Sequence, residues 1–296
     1  MNSKDVLSGP DLWVRDTNHG SFSVAFKVRK TLFSCRSPYQ QVDVVQTVDH
    51  GKLLLNDGVF MLTEYDEFIY HEMIAHVPLF VHPQPRKVLI IGGGDGGTVR
   101  EVLKHESVER VVMVEIDEIV VQACREHLPS VSAALEDPRV KLLFDDGVRY
   151  VSETPERFDI VIVDSTDPVG PGAVLFEKSF YRNAGRLLTD KGLMITQAES
   201  PLYDMDSQLE LFAHQRPFFK KLHMYMYASL TYPGALYSFG FASRAPCPLT
   251  DFDPRRVASA GIATRYYNPG IHRAAFMLPS FVRDRFEGLL DLLDWP

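Results

Sequence analysis

The chain has 296 residues, of which 45% are hydrophobic and 24% charged, with a net charge of −8 when His is counted neutral, a balance that fits one or two soluble globular domains with ample material for a core. The negative excess argues against nucleic acid or an anionic membrane as partner, since both need a basic footprint. No apolar run approaches the ~20 residues of a spanning helix, and the opening MNSKDVLSGPD has no apolar signal core, so the cytoplasm is the expected setting.

Residues 1–62 read as a small antiparallel β-domain. Ser21–Val28 and Val42–Val48 are short and rich in Val, Phe and Thr, and His50-Gly51 sits at a turn. Asn56-Asp57-Gly58 separates Leu53–Leu55 from Val59–Leu62, and Asp-Gly between apolar runs predicts a hairpin. Cys35 falls here; with Cys124 and Cys247 it makes an odd set without metal-type spacing, which predicts reduced, structural thiols. Trp13 is expected to plug the core of the sheet. Thr63-Glu64-Tyr65-Asp66 resembles a capping box, so a helix is expected from Asp66 to Val77, followed by a connector marked by Pro78, Pro83 and Pro85.

From Lys87 to the end, strands and helices alternate, as in an α/β fold with a parallel sheet; with the linking helix this makes a second domain, residues 63–296. Strands are expected at Val88–Ile91, Val111–Val114, Val140–Phe144, Ile160–Val163 and Leu193–Thr196. Helices are expected near Thr98–His105, Glu118–His127, Lys178–Leu188 and Met205–Arg216. Met224–Leu230 and Leu236–Ala242 form a closing pair of strands, and Asp253-Pro254 starts a late helix.

Gly92, Gly94 and Gly97 satisfy G-x-G-x-x-G, which by itself is weak evidence for a nucleotide site. Asp95 inside the loop would repel a pyrophosphate, so the loop suits a nucleoside with a cationic tail. Glu115, at the end of the second parallel strand, is placed to accept hydrogen bonds from ribose hydroxyls. Each of five successive parallel strands is followed by acid: Asp95, Glu115, Asp146, Asp164 with Asp167, and Glu199. Ligands bind beyond the carboxyl ends of such strands, and crowded carboxylates call for a cation. The acids are spread along the sheet edge and do not converge on one point, which favours an extended organic cation over a hard metal ion.

With these residues in place, the chain resembles the spermidine synthases, the putrescine aminopropyltransferases, over nearly its whole length. The resemblance is carried by DEFIYHEMIAH (Asp66–His76), KVLIIGGGDGGTVREV (Lys87–Val102), VEID (Val114–Asp117), DDG (Asp145–Gly147), VDSTDPVGP (Val163–Pro171), TYP (Thr231–Pro233) and YYNPGIHRAAFMLP (Tyr266–Pro279). It implies a Rossmann-like catalytic domain of the S-adenosyl-methyltransferase type after the β-domain, and a homodimer or homotetramer. It implies transfer of an aminopropyl group from decarboxylated S-adenosylmethionine, a cosubstrate, to putrescine, with no metal and no other cofactor. The family pattern assigns the cosubstrate to Gln40, Asp95, Glu115, Asp146, Gly147 and Pro171, and the acceptor to Tyr70, His71, Asp164, Asp167 and Tyr232, with Asp164 as general base. Trp13 and Glu199 are implied near the far end of the acceptor. Asp16 stands where the family pattern suggests a Glu. The alternatives are another amine acceptor, or amine N-methylation on the same scaffold.

Overall fold

The computed structural model describes residues 11–16, 21–165 and 174–294. The first sheet is an antiparallel meander of β1 (Leu12–Arg15), β2 (Ala25–Arg36), β3 (Gln41–Thr47), β4 (Lys52–Asn56) and β5 (Val59–Thr63), paired in chain order. The hairpin expected at Asp57-Gly58 is present. Both residues take positive φ, 49° and 83°, and Asn56 pairs with Val59 across them, so the turn twists with its strands. The period-2 pattern splits the sheet into two faces. Val42, Val44, Leu54 and Leu62 pack on the helix at Glu118–His127, while Phe26, Val28, Val45, Leu53, Leu55 and Phe60 form a separate small core.

Two sequence expectations fail in this sheet. Strand β2 starts later than Ser21 and runs eight residues past Val28, because its second half, Arg29–Arg36, is held by pairing to β3, with Leu32 and Phe33 packed against the core beneath the sheet. Trp13 is no core plug. It lies on the edge strand opposite Lys27 and is 58% exposed.

The linking helix α1 (Glu67–Val81) also departs from expectation. Its N-terminal Asp66 makes no side-chain cap, and the helix continues through Pro78 instead of stopping at Val77. Proline removes one backbone donor, but residues 70–81 are buried throughout, and that packing holds the last turn in place. The Asp66 carboxylate turns away from the helix. It accepts from the Thr63 and Thr231 hydroxyls and from the backbone N–H groups of Leu230 and Thr231. One buried acid thus ties β5 and α1 to the 229–232 loop.

The second sheet contains β6 (Lys87–Gly92), β7 (Arg110–Glu115), β8 (Val140–Phe144), β9 (Phe158–Asp164), β10 (Leu188–Gln197), β11 (Lys221–Ala228) and β12 (Leu236–Ser243). Their spatial order is β11-β12-β10-β9-β6-β7-β8. β6 to β10 are parallel, and β12 and β11 close one edge antiparallel. The helices that follow α1 are α2 (Gly97–Leu103), α3 (Glu118–His127), α4 (Pro129–Ser132), α5 (Gly147–Glu153), α6 (Lys178–Leu187), α7 (Met205–Gln215), α8 (Pro254–Ala260), α9 (Pro269–Ala275) and α10 (Ser280–Phe286). Alternate strand residues feed two cores. Val88, Ile90, Val111, Met113, Ile160 and Ile162 pack with α1 and α2, whereas Leu89, Ile91, Val112, Val114, Val161 and Val163 pack with α5, α6, α7 and α10. Each such side chain contributes about 1.5–3 kcal/mol when fully buried. Among the described residues, no helix is long and apolar enough to cross a membrane.

Asp66→Ala leaves two backbone donors and two hydroxyls without their acceptor in a buried place. It is expected to lower stability by about 3 kcal/mol, read by urea denaturation; a loss within experimental error would remove the clamp from this account.

Candidate active site

Strand β6 lies between β9 and β7, so the chain leaves it toward one side and later returns on the other. The crevice at such a switch point is where open α/β sheets hold ligands. The backbones of the two strand ends touch: the Gly93 N–H donates to the Asp164 carbonyl at 2.8 Å. A Cβ on Gly92, whose φ is +81°, would lie 2.2 Å from that carbonyl oxygen, so only glycine fits there. The Asp164 carboxylate is held by two hydroxyls, Tyr70 to Oδ1 at 2.5 Å and Thr98 to Oδ2 at 2.6 Å. Burial, and then the negative charge of Asp95, push its pKa above the ordinary carboxylate value despite those hydrogen bonds and the opposing charge of His71. The Tyr70 phenol is driven well above its usual value, first by burial and then by Asp164, and stays a donor.

Asp95 faces His71. The imidazole places Nδ1 2.5 Å from Glu67 Oε2 and Nε2 3.2 Å from Asp95 Oδ1. An imidazole that meets a carboxylate at each nitrogen must carry both protons to donate to both. Burial alone would depress the His71 pKa, but Asp95 and Glu67 outweigh it and raise it to about 10. Burial likewise opposes ionisation of Asp95; His71 and the Gly97 N–H, 2.7 Å away, reverse the balance and hold that carboxyl below its usual value. Gly97 is the third glycine of the G-x-G-x-x-G motif. A Cβ there would lie 2.3–2.5 Å from three atoms of the His71 ring, so its absence is what lets the imidazole lie against the loop.

Farther along the sheet edge, Glu115 is buried and raised to about 7, by burial first and by the charges of Asp117 and Asp164 after it. Asp117 caps α3 through the Ile119 N–H and also accepts from Ser37 Oγ at 2.7 Å and Gln40 Nε2 at 3.0 Å. This carboxylate fastens the β2–β3 turn of the first sheet to the second and fixes Gln40. Asp146 caps α5 through the Val148 N–H. Next to it, a Cβ on Gly147 would stand 2.5 Å from Ile91.

One cavity is lined by Gln40, Tyr70, His71, Asp95, Glu115, Asp146, Gly147, Asp164 and Tyr232. Four of the five strand-end acid positions named from the sequence therefore converge. Glu199 does not line this cavity; it accepts from Gln197 and borders a neighbouring one. Trp13 lies outside the lining, and Asp167 and Pro171 fall outside the described residues. Tyr232 is steered into the wall by its hydroxyl, which donates to the Met61 carbonyl at 2.8 Å.

Several lining or supporting groups were not picked out in the sequence. Asp16, 1% exposed, comes from the first sheet and accepts from the Phe60 N–H at 2.8 Å. Asn56 Oδ1, Ser165 Oγ, Gln197 Oε1 and the Tyr227 hydroxyl are buried on the wall with no hydrogen-bond partner among the described residues. Buried polar atoms are nearly always paired, so these four are open to water or to a polar ligand. Only Asp16 had a signal in the sequence, its place where the family pattern suggests a Glu. Thr98, Glu67 and Arg100 sit inside matched motifs but act through partners that spacing does not reveal.

The chain is similar to known proteins over nearly its whole length. Residues 67–254 match the spermine/spermidine synthase domain, and residues 12–64 match the spermidine synthase tetramerisation domain. The chain is 42% identical to the polyamine aminopropyltransferase of Methanocaldococcus jannaschii, over 95% of this chain and 97% of that one. It is 44% identical to the polyamine aminopropyltransferase of Desulforudis audaxviator, over 93% and 99%. It superposes on a spermidine synthase crystallised with the transition-state analogue AdoDATO with a TM-score of 0.91, at 39% identity over 93% and 94% of the two chains. The Thermotoga maritima spermidine synthase gives a TM-score of 0.89 at 38% identity, over 94% and 95%.

Because the His71 pKa is raised on folding, from 6.5 to about 10, its contribution to stability is full below pH 6.5 and is lost as pH climbs through the folded value. The gap in Tm between the wild type and His71→Gln is expected to shrink steadily over that window; a gap independent of pH would contradict a charged imidazole.

Proposed function

The chain belongs to the spermine/spermidine synthase family and is a polyamine aminopropyltransferase, and on that premise we propose that it converts putrescine and decarboxylated S-adenosylmethionine to spermidine and 5'-methylthioadenosine, with Asp164 as general base. The observation that carries this reading is the placement of Asp164. It is a buried carboxylate of raised pKa in the same cavity as Asp95 and Glu115, with both oxygens oriented by hydroxyls.

In this reading Glu115 takes the ribose hydroxyls, Asp146 the adenine amino group and Asp95 the ammonium of the aminopropyl arm, while Gln40, Gly147 and Pro171 complete the donor site. The acceptor lies against Tyr70, His71, Asp164, Asp167 and Tyr232. The amine nitrogen attacks the methylene carbon bound to the sulfonium. A C–N bond forms, the C–S bond breaks with its electron pair going to sulfur, and the amine proton passes to Asp164. Amines of pKa near ~10 are mostly protonated at neutral pH, so a proton must leave before attack. An ordinary carboxylate would stabilise the ammonium and hinder that loss, and the raised pKa of Asp164 narrows the gap. Alignment of nitrogen, carbon and sulfur supplies most of the acceleration. No cofactor besides the nucleoside donor enters the scheme. The match of residues 12–64 to a tetramerisation domain supports a homo-oligomer.

Donor and acceptor are tested together. Decarboxylated and intact S-adenosylmethionine are each offered with putrescine, cadaverine, agmatine and spermidine, and products are read by mass spectrometry. Spermidine from putrescine and the decarboxylated donor is expected as the fastest product; faster turnover of another amine, or methylated amine, replaces this reading. Asp164→Asn is expected to lower kcat by about 10²–10⁴-fold while the donor still binds by calorimetry, and a near-normal kcat removes Asp164 as base. Asp95→Asn is expected to weaken discrimination against the intact donor, whose carboxylate Asp95 repels; unchanged discrimination takes that role away.

A further inference from the structure

Behind His71 stands a second layer of charge. Glu67, one turn earlier on α1, is almost fully buried and takes the His71 Nδ1 proton on Oε2. It also receives a two-pronged contact from Arg100 of α2, with Nη1 3.0 Å from Oε1 and Nη2 2.8 Å from Oε2. The same guanidinium donates from Nε to Glu101 Oε1 at 2.8 Å and from Nη1 to the Ser130 carbonyl at 3.1 Å. Every polar edge of Arg100 is therefore engaged, and its position fixes Glu67. Burial works against the charge on Glu67, yet His71 and Arg100 overcome it and lower its pKa to about 2.

We propose that Glu67, braced by Arg100, is a positioning residue of the transfer reaction: it holds the His71 imidazole doubly hydrogen-bonded, so that Nε2 stays turned on Asp95 Oδ1 and Asp95 presents its other oxygen to the cationic arm of the donor. A neutral imidazole has one N–H and serves one carboxylate at a time. Without Glu67 the ring can turn, and it keeps one carboxylate partner in a buried place. The ionisable groups that face His71 are Glu67 and Tyr70 on its own helix, Asp95 on the glycine loop and Asp164 at the end of β9, with Arg100 of α2 behind Glu67 and Tyr232 beyond Tyr70. The carboxylates favour the imidazolium and burial opposes it. Removing one carboxylate therefore returns the titration of His71 toward neutrality.

For its kinetic readout the inference rests on the aminopropyl transfer proposed above; its spectroscopic readout is independent of it. In the full chain, the His71 imidazole followed by NMR of ¹⁵N-labelled protein should remain protonated through the neutral range in the wild type and titrate there in Glu67→Gln. In that variant kcat/KM for decarboxylated S-adenosylmethionine should fall by about 10–100-fold, mostly through KM, and fall further as pH rises and the ring loses its charge. Arg100→Lys, a milder change should Glu67→Gln fail to fold, should move both readouts less in the same direction. Glu101→Gln removes the other carboxylate partner of the guanidinium, and that of His76 and Lys104, but leaves the Glu67–His71 contact and both prongs of Arg100 on Glu67, so it should move both readouts less than Arg100→Lys does. An unshifted imidazole titration in Glu67→Gln, or the same shift in Glu101→Gln, would overturn the proposal. A wild type that titrates as expected but transfers no aminopropyl group would overturn the reaction and leave the positioning result standing.

Discussion

Four acid side chains line one crevice, and the electrostatic consequence governs how the site is built. Asp95, Glu115, Asp146 and Asp164 line the same cavity, and Asp95, Glu115 and Asp164, which are enclosed, cannot all ionise freely in a medium that screens poorly. Each is handled by a different local device. Asp95 is paired with an imidazolium, Asp146 is turned into a helix cap, Asp164 is shared between two hydroxyls, and Glu115 has its pKa raised by burial. The result is a row of carboxylates in unlike surroundings, with the pKa of Asp95 lowered and those of Glu115 and Asp164 raised.

That row is built from backbone geometry first. The parallel strands place their carboxyl ends together, and the reversal at β6 opens the crevice. Side chains from outside the Rossmann-like unit then complete it. α1 brings Tyr70 and His71, the first sheet brings Asp16, Gln40 and Asn56, and the loop before β12 brings Tyr232. Two buried acids hold these parts in register, Asp117 for the first sheet and Asp66 for α1 with the late loop. Neither Asp66 nor Asp117 lines the cavity, which separates the acids that assemble the site from those that face its ligand.

The sequence disclosed this in proportion to how local each feature is. Strand-end acids were legible because apolar runs stop abruptly at Glu115 and Asp164, and the Asp57-Gly58 turn because its chemistry is contained in two residues. The continuation of α1 past Pro78 was not, since a proline signals an ending unless tertiary burial overrides it, and burial is a long-range property. The same holds for the second half of β2, held by its neighbour strand, and for Trp13, whose size suggested a core but whose strand lies at the sheet edge. Glu67 and Arg100 are 33 residues apart and meet only because α1 packs on α2. Asp167 and Pro171 were read from a motif and lie outside the described residues.

The double employment of the first sheet has a thermodynamic corollary. Its strands match a domain of assembly, and its side chains Asp16, Tyr39, Gln40 and Asn56 also form one wall of the cavity. Two equilibria that share a structural element exchange free energy symmetrically. In an assembly formed through that sheet, a ligand that steadied the sheet would steady the contacts between subunits, and association would return the same increment to the ligand. Affinity for small molecules in such an assembly would depend on protein concentration as well as on the residues that touch them.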